Sequence, residues 1–286
     1  MEELAPGTIA AIGGLMAGIG LGFAARWGSF CTLGSIEDAI FGGNYDRLRM
    51  WALAIAIAII GTFALDQFTS IDITSSFYLA RPTTYIATAI GGLIFGVGMS
   101  LVGTCGFGAL ARVGGGDLKS AVTFLVMGIT AYATLSGVTA YLRVNLFPAE
   151  TIPEQPAGFA HFAANQLGGT PHIWAYGVGA LIILAVLYPA PFRKKYKKLI
   201  AGSIIGLMII WGWVATGIIA ADEFEPYRLE SLTFAAPLGE TLMYVMTMTG
   251  STLKFGIGAT IGVIIGAAIT SIGQGYFRWE ACDDAR

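Results

Sequence analysis

Leu199-Ile-Ala-Gly-Ser-Ile-Ile-Gly-Leu-Met-Ile-Ile-Trp-Gly-Trp-Val-Ala-Thr-Gly-Ile-Ile-Ala-Ala221 carries no charged residue and follows directly on the cluster Arg193-Lys-Lys-Tyr-Lys-Lys198. A helix needs about 20 mostly apolar residues to cross the hydrocarbon core of a bilayer. A dense basic cluster at one end of such a run marks the cytoplasmic side. Residues 50–65, 82–111, 120–142 and 255–277 are likewise free of charge, and 4–36 contains only Arg26. The 286-residue chain is 55% hydrophobic and 12% charged, with a mean hydropathy of +0.71. A soluble domain carries about 25% charged residues, and no stretch here is left over to wrap buried apolar helices. The fold class is therefore all-α, a polytopic membrane protein.

Spans are expected near 8–26, 48–66, 84–103, 118–142, 172–190, 199–220 and 255–274. Shorter apolar stretches at 32–42, 106–113 and 237–250 read as partial or re-entrant helices, which survive at membrane depth only where protein or a water-lined cavity covers them. The connection 143–171 holds Pro148, Pro153, Pro156 and Gly168-Gly169 and reads as an external surface loop. It divides the chain into a first membrane repeat, 1–142, and a second, 172–286. Glycine-interrupted runs in both halves are the pattern of a transporter built from repeats. With Arg193–Lys198 inside, Arg47, Arg49, Arg112 and Lys119 also fall inside. The N-terminus lies outside and the C-terminal end in the cytoplasm. The first run lacks a basic leader and a small-residue cleavage site, so it reads as a span and not as a signal peptide.

A net charge of −2 gives no reason to expect nucleic acid as a partner. His161 and His172 show no ligand spacing, and the spans lack the His and carboxylate donors a metal permease needs. The three cysteines stand at breaks: Cys31 in Arg26-Trp-Gly-Ser-Phe-Cys-Thr-Leu-Gly34, Cys105 in Gly103-Thr-Cys-Gly-Phe-Gly108, and Cys282 in Arg278-Trp-Glu-Ala-Cys-Asp-Asp284. Their odd number and the lack of a C-x-x-C pair speak against disulfides and a dithiol redox centre. Ser35 and Asp38 form an S-x-x-D pattern, which predicts Ser35 as the N-cap of a short helix running to Phe41. Cys31 then lies ahead of a helix N-terminus, where free N–H groups and the dipole favour anions. Gly103, Gly106 and Gly108 bring bare backbone to the same kind of break around Cys105. A neutral thiol is a weak donor and a weak acceptor, suited to holding a sulfur-bearing anion loosely enough to release it.

These three strings, with Gly91-Gly-Leu-Ile-Phe-Gly-Val-Gly98, resemble the YeeE/YedE family of sulfur-compound transporters over nearly the whole chain. The resemblance implies thiosulfate uptake across the bacterial inner membrane. It implies a substrate path along Cys31, Cys105 and Cys282, with support from Gly28, Gly34, Gly103, Thr104, Gly106 and Gly108. It also implies a small cytoplasmic sulfur carrier of the TusA/SirA type as partner, and neither a cofactor nor an enzymatic reaction. Along the path, Cys31 is expected in the external half, Cys105 near the centre and Cys282 at the cytoplasmic exit. The alternatives are a selenium compound or another sulfur oxyanion as substrate, or a membrane thiol protein that transfers sulfur or electrons.

Overall fold

A computed structural model describes residues 5–76, 78–79, 85–147, 158–222 and 227–281. Within them the chain is helical, without a sheet strand, and one isolated β-bridge joins Asp117 to Glu280. The helices are α1 (Pro6–Gly28), α2 (Thr32–Ile40), α3 (Asp46–Phe68), α4 (Tyr85–Val102), α5 (Gly106–Gly114), α6 (Leu118–Ser136), α7 (Val138–Leu146), α8 (Phe159–Leu167), α9 (Pro171–Leu187), α10 (Ala190–Arg193), α11 (Tyr196–Val214), α12 (Ala236–Thr247) and α13 (Phe255–Gly273). Six helical stretches among the described residues are long and apolar enough to cross a membrane, or seven if the sharply bent pair α8 and α9 counts as one. The protein is thus a multi-pass membrane protein. The predicted span 118–142 differs in one respect, because it breaks at Gly137 into α6 and α7. The short stretches all form helices: α2, α5 and α12.

Glycines set the centre of the bundle. Gly14, Gly18 and Gly22 of α1 lie in turn against the backbone of Phe255, Ala259 and Val263, so α1 and α13 run parallel. From the other side, Gly258, Gly262 and Gly266 lie against Ala11, Leu15 and Ile19. A methyl group at any of these six positions runs into main-chain atoms of the partner helix. Small residues four apart bring helix backbones into contact, which replaces the hydrophobic driving force that lipid removes. Gly202 and Gly206 do the same for α11 against Met50 and Ala54 of α3. The glycines of α4 behave differently: Gly91, Gly92, Gly96 and Gly98 have open space where a side chain would stand. Leu93, Ile94 and Leu101 of α4 are exposed, as lipid-facing residues are.

The basic end is tied together by one buried carboxylate. Asp46, at the first position of α3, is 5% exposed and pairs with Lys195, with Lys198 at 3.9 Å and with Arg49 at 3.9 Å. Phe192 is fully buried in the turn before them. At the opposite end Asp66 of α3 accepts from the backbone N–H of Ile73 at 2.9 Å and pairs with His172 at 2.9 Å. Helices α3 and α11 therefore start at the Lys195 end, while α1 finishes there, with Gly28 against Ala201.

Candidate functional site

Helix α1 ends on Ser29, whose backbone is left-handed with φ 56°, and this turns the chain sharply into Phe30 and Cys31. Cys31 is the N-cap of α2: its backbone is extended, and its carbonyl accepts the N–H of Ser35 at 3.0 Å. The predicted cap, Ser35, instead lies buried inside α2 with its hydroxyl donating to the Thr32 carbonyl at 2.7 Å. The S-x-x-D spacing is there, but the helix begins one turn earlier, and a serine inside a helix satisfies its hydroxyl by back-bonding to the preceding turn. Arg47 holds this corner, donating to the Ser29 carbonyl at 3.0 Å and pairing with Asp38 at 3.4 Å. Its guanidinium fills the space over Gly34, while Gly28 admits Ala201, so both glycines have a packing reason of their own.

The second break is built the same way. Gly103 follows α4 with φ +75°, a conformation that suits a residue without a side chain. Cys105 is the N-cap of α5, and its sulfur accepts the N–H of Gly108 at 3.4 Å. A side chain at Gly108 would strike the hydroxyl of Thr104, 2.5 Å from the Cβ position, so the glycine makes room for that hydroxyl beside the thiol. Thr104 is buried at 2% exposure, and Gly106 abuts Leu238 and the Phe234 carbonyl. Arg112 reaches back along α5 to donate to the Gly103 carbonyl at 2.9 Å. Both thiols are free and half-buried. The two segments meet through their aromatic residues, Phe30 against Phe107 with ring centres 6.3 Å apart.

Cys282 lies outside the described residues. The chain leading to it is fixed to the turn between α5 and α6. Arg278 donates its N–H to Gly115 at 3.3 Å, Glu280 to Gly116 at 3.0 Å, and Leu118 donates back to Glu280 at 3.0 Å. Gly116 has φ +98° and lies under the Arg278 carbonyl. Arg26 of α1 covers Gly115 and donates to Ser271 at 2.8 Å, a hydroxyl on α13 that is 1% exposed. Asp117 caps α6 through the N–H groups of Lys119 and Ser120 and the Ser120 hydroxyl at 2.6 Å. Burial opposes its charge, but the donors from Ser120 and Lys119 outweigh that and hold the carboxyl below its usual range. The bracing roles of Arg26, Arg112 and Gly116 went unread in the sequence. Only the isolation of Arg26 within a long apolar run singled any of them out.

The geometry also bears on the order of the thiols. Cys31 stands at the end of the bundle that holds Arg47 and Lys195, and α5 runs from its N-cap Cys105 to Gly114, which lies against Ile264 and Ala267 in the middle and second half of α13. A cytoplasmic Lys195 and a Cys31 in the external half do not fit together.

The family model for sulphur transport matches residues 27–286, which takes in all three thiol segments. The chain belongs to the sulphur transport family. Two curated relatives match it along almost its full length. The thiosulfate transporter TsuA of Escherichia coli K12 is 23% identical over 305 residues, covering 95% of this chain and 78% of its own. The thiosulfate transporter TsuA of Spirochaeta thermophila is 25% identical over 274 residues, covering 93% and 78%. Membership of this family makes the chain a transporter and not an enzyme.

Proposed function

We propose that this protein takes up thiosulfate across the bacterial inner membrane, along a path lined by Cys31, Cys105 and Cys282 and by helix N-termini. The observation that carries the reading is the coincidence of Cys31 and Cys105 with the N-caps of two nine-residue helices, α2 and α5. At each place the free N–H groups and dipole of a helix end attract an anion, and a polarizable sulfur stands beside them. Each cysteine is followed three residues later by a glycine, Gly34 or Gly108. Each joins a long helix to a short one, and both corners lie within the first membrane segment, 1–142. Gly28, Gly34, Gly103, Thr104, Gly106 and Gly108 shape the two corners. The names of both curated relatives support thiosulfate as the anion.

With Lys195 on the cytoplasmic side, an incoming anion meets Cys105 before Cys31, the reverse of the order suggested by the sequence. Cys282, beyond the segment fixed at Gly115 and Gly116, then serves the exit, where a TusA/SirA-type carrier receives the sulfur. A bacterial strain without its own thiosulfate and sulfate uptake tests the reading. Expression of this chain should restore growth on thiosulfate as the single sulfur source. Rescue on another sulfur oxyanion but not on thiosulfate would refute the substrate.

A further inference from the structure

Four aromatic rings from four parts of the chain form a continuous series between the two thiol-bearing corners. Trp51 of α3 stacks on Phe30 at 5.8 Å with planes 8° apart. Phe30 meets Phe107 of α5 edge-on at 6.3 Å, and Phe107 meets Phe234 at 5.2 Å. Phe30 is the residue before Cys31, Phe107 comes two after Cys105, and Phe234 comes just before α12. The series leads from the Lys195 end toward the other half of the bundle. Phe30 stands at the Lys195 end, where Arg47 donates to Ser29. Phe234 leads into α12, whose Pro237 abuts Gly256 at the start of α13. Because α13 runs parallel to α1, that start belongs to the half away from Lys195.

We propose that Phe107, closed between Phe30 and Phe234, is the gate of the path and separates Cys105 from Cys31. The inference rests on the cysteine path proposed above and names the residue that keeps it shut. Ring faces and edges offer an oxyanion nothing to replace its water, and apolar constrictions shut a pore by excluding water. Phe30 is backed by Trp51, and the Phe234 carbonyl and Leu238 abut Gly106 at the start of α5, so the three rings are held against one another. Phe107 is carried by the helix that follows Gly103, and open space surrounds the position where a Gly103 side chain would stand. Arg112 on the Gly103 carbonyl, fully buried Leu110 and Gly114 against Ile264 fix α5, so its ring is held in the closed position.

The test measures access to one thiol and is independent of transport. The full chain carrying Cys105→Ser and Cys282→Ser keeps Cys31 as its single thiol. In membrane vesicles of defined orientation, a charged, membrane-impermeant maleimide is supplied at the face opposite Lys195, and the rate of Cys31 modification is read. With Phe107 in place the reaction is slow. Phe107→Ala should speed it by about two- to tenfold, the factor corresponding to loss of a ring contact of about 0.5–1.5 kcal/mol at 1.4 kcal/mol per tenfold. Phe107→Leu, which keeps an apolar plug, should stay near the parent rate. The rate from the Lys195 face should not change. No acceleration in Phe107→Ala, or an equal acceleration from both faces as a loosened fold would give, overturns the gate. Loss of the cysteine path would show separately, as thiosulfate uptake indifferent to the thiols.

Discussion

Cys105 does two jobs that substitution can separate. As an N-cap it accepts the N–H of Gly108 through a sulfur, a weaker acceptor than the oxygen of serine, a residue preferred at this position. Cys105→Ser should therefore leave the thermal midpoint of the detergent-solubilised protein unchanged or higher, while the polarizable sulfur is lost. A lower midpoint would mean that the thiol holds the fold in some way the cap does not describe. A titratable group lies in the extended run before α12. Burial lifts the Glu230 carboxyl above its usual range; Arg228 opposes this and Glu240 adds to it. A folded-state pKa above the unfolded value means that the folded form holds the proton more tightly. The contribution to stability is then present below the unfolded pKa and is lost as pH rises through the folded one. Glu230→Gln should raise the thermal midpoint at about pH 7.5 and leave it nearly unchanged at about pH 4. A midpoint at neutral pH lower than the parent's would contradict this. At this scale the sequence placed both thiols beside helix starts but put the first cap at Ser35. A serine followed by an aspartate three residues later looks the same whether it opens a helix or sits in its first turns.

At the scale of elements, the spans were legible because bilayer thickness imposes a length on them that few other folds reproduce. The breaks were legible because glycine and cysteine interrupt otherwise uniform apolar runs. The sequence did not show which glycine stripe packs. The stripe Gly91, Gly92, Gly96, Gly98 reads much like Gly258, Gly262, Gly266, yet the first faces open space and the second is pressed on α1. Periodicity reports that a close approach is available, not which helix takes it up. The difference predicts opposite tolerance. Gly262→Val drives a branched side chain into the Leu15 carbonyl and should destabilise by at least about 1–3 kcal/mol, the usual range for overpacking, with loss of folded yield. Gly96→Ala should leave yield and monodispersity unchanged. Size-exclusion profiles in detergent check both, and equal damage from the two variants would mean that α4 also packs through its glycines. The link from Arg278 and Glu280 to Gly115 and Gly116 was not legible either, since backbone pairing between distant segments leaves no local pattern of side chains.

At the scale of the whole molecule, the question is what drives a dianion inward. One charge moving against 100 mV costs about 2.3 kcal/mol, so two cost about 4.6 kcal/mol. At about 1.4 kcal/mol per tenfold, passive entry needs roughly a thousandfold excess outside. Helix ends and thiols lower the barrier along the way and leave this equilibrium untouched. The buried Asp46 is held by Lys195, Lys198 and Arg49 and is no free proton relay. Under the proposed function, entry is therefore facilitated and pulled by cytoplasmic removal of the sulfur. The most direct test of the thiol path is the initial rate of sulfur-labelled thiosulfate entry into proteoliposomes holding the purified protein alone, down an imposed gradient. Wild-type protein should admit the label well above empty vesicles, and Cys105→Ala, folded to the same yield, should fall to the level of empty vesicles. Entry through Cys105→Ala at the wild-type rate would contradict a path that depends on this thiol.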